Sequence, residues 1–99
     1  SYTSTYASGS SDGMVPQCEA AHVDHDTRMR AMEPELDSCI AGGRCPSEGD
    51  LNLLAASANF ATACVKAGYL PSNLRDAHAR SERIGEKMGL LLRTKYAGT

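Results

Sequence analysis

The chain reads as an all-α protein, an antiparallel three-helix bundle with two nested disulfides behind a disordered amino-terminal tail. The first observation behind this is the placing of the cysteines: Cys18 with Cys64, and Cys39 with Cys45, straddle one point near residues 41 to 43. In an antiparallel helical hairpin, residues equally far from the turn lie side by side, and of the three ways to pair four cysteines only this one meets that condition. The second is that apolar residues recur at alternating steps of three and four in successive segments, the spacing of a helical seam. The third is the scarcity of β-branched residues and the lack of any sustained alternation of apolar and polar positions, which leaves no strand signal.

Residues 1 to 14 are mostly Ser, Thr, Tyr and Gly, with almost nothing to bury, and read as a flexible tail or tether. Such a segment suits the spacer of a lipid-tethered surface protein. The chain begins at Ser1 rather than Met, as removal of a leader or truncation would leave it. The bundle then occupies residues 15 to 99.

The first helix is expected over residues 16 to 41. Pro16 suits a first helical position, and Gly42 and Gly43 supply the left-handed conformation that ends a helix. Its seam is Cys18, His22, His25, Met29, Met32, Leu36 and Cys39. Pro34 removes a backbone donor within this stretch, so a kink near Met32 or a restart at Pro34 is expected.

The second helix is expected over residues 47 to 68. Ser47 followed by Asp50 approximates a capping box, and Gly68 marks the end. It carries two adjacent stripes, Leu51, Leu54, Ala58, Ala61 and Val65 beside Leu53, Ser57, Phe60, Cys64 and Ala67. Two stripes predict two neighbours. With Cys64 bonded to Cys18, the second stripe is expected to face the first helix and the first stripe the third, so that the second helix is the middle one.

The third helix is expected over residues 72 to 96, entered at Pro71 or Ser72, with a seam of Leu74, Ala77, Ser81, Ile84, Met88 and Leu91. Gly85 and Gly89 are expected to let it lie close to the alanine-rich second helix. Short links imply antiparallel neighbours.

Charge is unevenly spread. Residues 12 to 50 hold nine acidic and three basic side chains, whereas residues 71 to 99 hold six basic and three acidic ones. Placed side by side, the first and third helices attract; alternatively each greets an outside partner. On the second reading Arg80, Arg83 and Lys87, with Leu90, Tyr69 and Tyr96 as apolar contacts, form a partner-binding face.

The composition excludes several function classes. With the cysteines assigned to cystines and no C-x-x-C pair, a zinc site of four thiolates is not expected. No serine, threonine or free cysteine stands in a nucleophile context, a bundle this small has little room for a ligand pocket, and Glu33, Glu35 and Asp37 read as a solvated face, so no enzyme is expected. A net charge of -2, with Glu82 and Glu86 interleaved among the cations of the third helix, argues against nucleic acid. No stretch approaches the ~20 apolar residues that span a bilayer.

What remains is a disulfide-bonded, non-enzymatic module that works outside the cytoplasm, in the periplasm, at the cell surface or secreted, by contact with another protein. An accessory subunit, an inhibitor or an exclusion factor of an envelope system fits, a second copy is a candidate partner, and no cofactor is implied. The alternative is a small metal- or ligand-binding protein, because His22, His25 and Asp26 sit at helical spacings that place donors on one face.

Overall fold

The computed structural model describes the backbone of residues 15 to 96 and the side chains of residues 15 to 94; the tail expected at residues 1 to 14 lies outside the described residues. Three helices follow one another: α1 (Pro16–Ile40), α2 (Glu48–Lys66) and α3 (Leu74–Leu91), the last running on as a π-helical turn, Leu92–Tyr96. No strand occurs among the described residues.

α1 starts with Pro16, whose missing N–H costs nothing there, and ends in a Schellman motif. Gly42 takes a φ of 93°, its N–H donates to the Cys39 carbonyl, and the Gly43 N–H donates to that of Ser38. The positive φ of Gly42 strains any residue with a side chain, and a Cβ on Gly43 would lie 2.8 Å from Ser38 Oγ, which would have to turn away. α2 opens where the Ser47 hydroxyl accepts from the Asp50 amide at 3.1 Å, a cap that contributes about 1 kcal/mol. It closes in a second Schellman motif, with Gly68 at a φ of 97° and the Tyr69 N–H donating to Cys64. Pro71 and the turn at residues 72 and 73 delay α3 to Leu74, two residues later than the spacing predicts. Pro34 neither ends nor restarts α1, which is helical throughout. The proline is exposed, where water can satisfy the carbonyl it leaves without a donor.

Both disulfides form as the cysteine positions predict, Cys18–Cys64 with a Cα separation of 5.6 Å and Cys39–Cys45 with 4.4 Å. One clasps the open end of the α1–α2 hairpin and the other closes its turn. Each anchors a piece of core. Met29, Met32, Leu36, Cys39, Leu54, Ile84 and Leu91 form the larger cluster, and Val15, Cys18, Ala21 and Cys64, with Tyr69 against them, form the smaller.

The order of the helices differs from the expectation. α1, not α2, is the shared element: α2 and α3 both pack on it, and no Cα of α2 comes within 8 Å of one in α3. Charge and apolar packing both favour this order, since Ile84 and Leu91 of α3 join the α1 core. Asp26, Glu33 and Asp37 form a stripe along one flank of α1, and parallel α3 meets it with Arg80, Arg83 and Lys87. Two consequences correct the sequence reading. The stripe that α2 turns toward α1 is Leu54, Ser57, Ala61 and Cys64, leaving Leu53 and Phe60 about half exposed at 52% and 54%. Gly85, meanwhile, has nothing within 4 Å of its Cβ position and serves no close approach to α2.

Candidate functional site

The histidine segment of α1 is built into the fold. His22 Nε2 donates to the Tyr69 carbonyl at 2.7 Å, tying the start of α1 to the end of α2. His25 Nδ1 lies 2.9 Å from Ser57 Oγ, and Ser57 spends its own proton on the Leu54 carbonyl at 2.8 Å, so the imidazole must be the donor. Burial pushes the His25 pKa below its usual value, outweighing the pull of Asp26 and Asp24 in the other direction.

Asp26 is engaged as fully. Arg80 holds it at 2.7 and 3.3 Å, Arg30 at 3.0 Å, and the Asn73 side-chain amide reaches it at 3.5 Å. Burial raises the Asp26 pKa, but the hydrogen bonds from Arg80 and Arg30 prevail and hold it below the ordinary carboxylate range. His22 and His25 each bond the protein through one ring nitrogen and Asp26 through both carboxylate oxygens, and no group of three His, Cys, Asp or Glu capable of holding a metal is gathered among the described residues.

The basic side chains of α3 are likewise turned inward. Arg83 grips Glu33 through two hydrogen bonds of 2.8 and 3.1 Å, and Lys87 reaches both Glu33 and Asp37 at 2.8 Å. Arg83 and then Lys87 hold the Glu33 carboxyl at a pKa of about 2. Together with Arg80 on Asp26, these pairs strap α3 to α1. Of the apolar members of that expected face, Tyr69 is half-buried against the smaller core cluster and Leu90 is exposed, whereas the side chain of Tyr96 lies outside the described residues.

An open cleft of about 520 Å³ lies between the start of α1 and the link to α3, larger than the sequence led us to expect, and is bordered by His22, Asp26, Leu70 and Asn73. Of its titratable groups, His22 is bonded to the Tyr69 carbonyl and Asp26 to Arg80 and Arg30, while Glu19 lines the same cleft.

The surface that stands out instead is α2. Residues 51 to 65 contain no charged side chain, in a chain of which 22% is charged. The backbone of α2 comes close to that of α1 alone, and only Leu54, with Leu51 beside it, joins Ile84 and Leu91 of α3 in the larger core cluster. On its outer side Leu53, Ala56, Phe60, Ala63 and Ala67 are all exposed and follow one another at steps of three, four, three and four. On its other side an open groove runs between α2 and α3, floored by His25 and Met29 and walled by Ala58, Val65, Leu74 and Ser81. The sequence signal for this surface was the uncharged run itself. A single helix neighbour can bury only part of such a helix.

Comparison with protein-family models, with curated proteins and with solved structures gives no match.

Proposed function

We propose that this chain acts by protein contact outside the cytoplasm, with α2 as the element that makes the contact. The observation that carries the reading is the uncharged α2 helix, covered by α1 on one side and presenting Leu53 and Phe60 to solvent on another. Half-exposed leucine and phenylalanine on a continuous helical stripe cost hydration free energy that a partner relieves, and clustered apolar exposure of this kind marks interaction surfaces. The face of Arg80, Arg83 and Lys87 fits the role less well, because its cations already neutralise α1 carboxylates.

Two cystines in a chain without free cysteines support an oxidising compartment, periplasmic, cell-surface or secreted. Among the described residues no helix is long and apolar enough to cross a membrane. An accessory subunit, inhibitor or exclusion factor of an envelope system, acting without catalysis, fits these features.

The test is photo-crosslinking in the native compartment, with a crosslinking residue at Phe60 or, for comparison, at Arg75 on α3. Adducts at Phe60 that are lost on Leu53→Asp support the reading. Adducts that form equally well at Arg75 and survive Leu53→Asp remove α2 as the contact element.

A further inference from the structure

All three histidines of this chain line one half of the groove between α2 and α3. The other half shares His25 with the first and has no further titratable side chain on its walls. We propose that the groove binds a free long-chain fatty acid, its alkyl chain lying between α2 and α3 and its carboxylate seated among His22, His25 and His78. The site is separate from the outer flank of α2, since neither Leu53 nor Phe60 borders the groove.

Shape is the first argument. Because α1 is the shared helix, the backbones of α2 and α3 stay apart and leave a slot floored by Met29. The slot is continuous, for Met29, Ala58 and Ser81 border both halves, which measure about 260 and 200 Å³. Val65 stands at one end and Leu51 at the other, about 20 Å apart at the rise of an α-helix. That is close to the length of an extended fatty acyl chain. Small side chains leave room along it, Ala55, Ala58 and Ala61 on α2 and Ala77, Ser81 and Gly85 on α3. An amphipathic partner helix divides its polarity lengthwise. This groove divides it end from end, as a fatty acid does.

The head group is the second argument. His22 bonds the Tyr69 carbonyl through Nε2 and His25 bonds Ser57 through Nδ1, which leaves Nδ1 of the first and Nε2 of the second without a partner among the described residues. A proton added at either free nitrogen breaks neither bond. On α1 the neighbouring charges are Glu19, one turn before His22, and Asp24 and Asp26 beside His25; Arg28 pairs with Asp24, and Arg80 and Arg30 pair with Asp26. α2 turns no charge toward them, since residues 51 to 65 carry none. On α3, Arg75 and Glu82 stand one turn to either side of His78, with Glu82 Oε1 3.6 Å from its Nε2. A carboxylate and an imidazolium stabilise each other, so the fatty acid brings a proton in with it, and its affinity rises as the pH falls into the histidine range.

Displacement of a fluorescent fatty acid from the oxidised full-length chain by myristate, kept below its micellar concentration, tests the proposal. The expected dissociation constant is about 1 to 100 µM, at least threefold lower at pH 6 than at pH 8. Gly85→Leu fills the apolar half, where the Cβ position has nothing within 4 Å, and should weaken binding at least tenfold with helix content unchanged. His25→Gln, which keeps the donor to Ser57, should reduce the pH dependence, as should His78→Gln, whose side chain is largely exposed. Tetradecanol, with the same chain and no charge, should bind without pH dependence, and Leu53→Asp should leave the myristate constant unchanged. No displacement up to about 500 µM overturns the proposal, as does binding indifferent to Gly85→Leu. Myristate that binds no differently from tetradecanol at the two pH values removes the histidines as the head-group site and overturns it too. Loss of binding in Leu53→Asp, with the fold intact, would move the acid to the outer flank and count against the groove.

Discussion

His25 and Glu33 act at opposite ends of the acid range. The His25 pKa lies below the ordinary histidine value of 6.5, chiefly through burial, so the unfolded chain takes up that proton first. Its contribution to stability is complete above pH 6.5 and declines as the pH falls below that value. Glu33 is depressed from 4.5 to about 2, so its contribution is complete above pH 4.5 and is lost between there and about pH 2. Urea midpoints measured from pH 8 to pH 2 should therefore fall in two stages. His25→Gln, which can still donate to Ser57, should flatten the upper stage, and Glu33→Gln should reduce the lower, of which Asp26 supplies a further part. An unchanged upper stage in His25→Gln would remove that residue as its source. The histidines illustrate how far sequence goes at this scale. Their place on the edge of the seam was visible from spacing, but the use of Asp26 by Arg80 was not, because it depends on which helix lies beside α1.

At the scale of the element, Gly85 lies in the interior of α3 with open space around its Cβ position. Gly85→Ala should stabilise the fold by about 0.5 to 1 kcal/mol, the cost of glycine within a helix, measurable as a raised urea midpoint. A loss of stability would show that α3 has a neighbour on that side. The helices themselves and the α1 seam were legible in the sequence, since Cys18, Met29, Met32, Leu36 and Cys39 are all buried. The rotation of α2 was not. Cys64 is pinned toward α1 by its disulfide, and Leu53 and Phe60 lie only part of a turn from it, so a modest roll decides whether that flank is covered. α1 fills the space over Leu54, Ser57 and Ala61, and the flank is left outside.

Across the whole molecule, two closures of different length hold the hairpin. On the chain-entropy account the Cys18–Cys64 loop is worth about 4 kcal/mol and the Cys39–Cys45 loop about 2. Replacing each pair by alanine should lower stability in that order. Hydrogen exchange should rise near Val15, Cys64 and Tyr69 in the first variant and near residues 39 to 46 in the second. Equal losses with the same exchange pattern would contradict separate clasps at the two ends. The nested pairing was readable from cysteine positions because covalent geometry tolerates few alternatives. The central place of α1 was not, because short links permit either neighbour and the order depends on how Ile84, Leu91 and the α3 cations meet α1 in three dimensions.

Neither cystine reaches α3. A protease cutting once in the exposed stretch around Gly68 and Leu70 would leave α1 and α2 as one continuous chain carrying both cystines, with α3 retained by ion pairs and by the seating of Ile84 and Leu91. Nicked protein in dilute urea would then shed its carboxy-terminal third, the sooner for added salt, while intact protein would keep it.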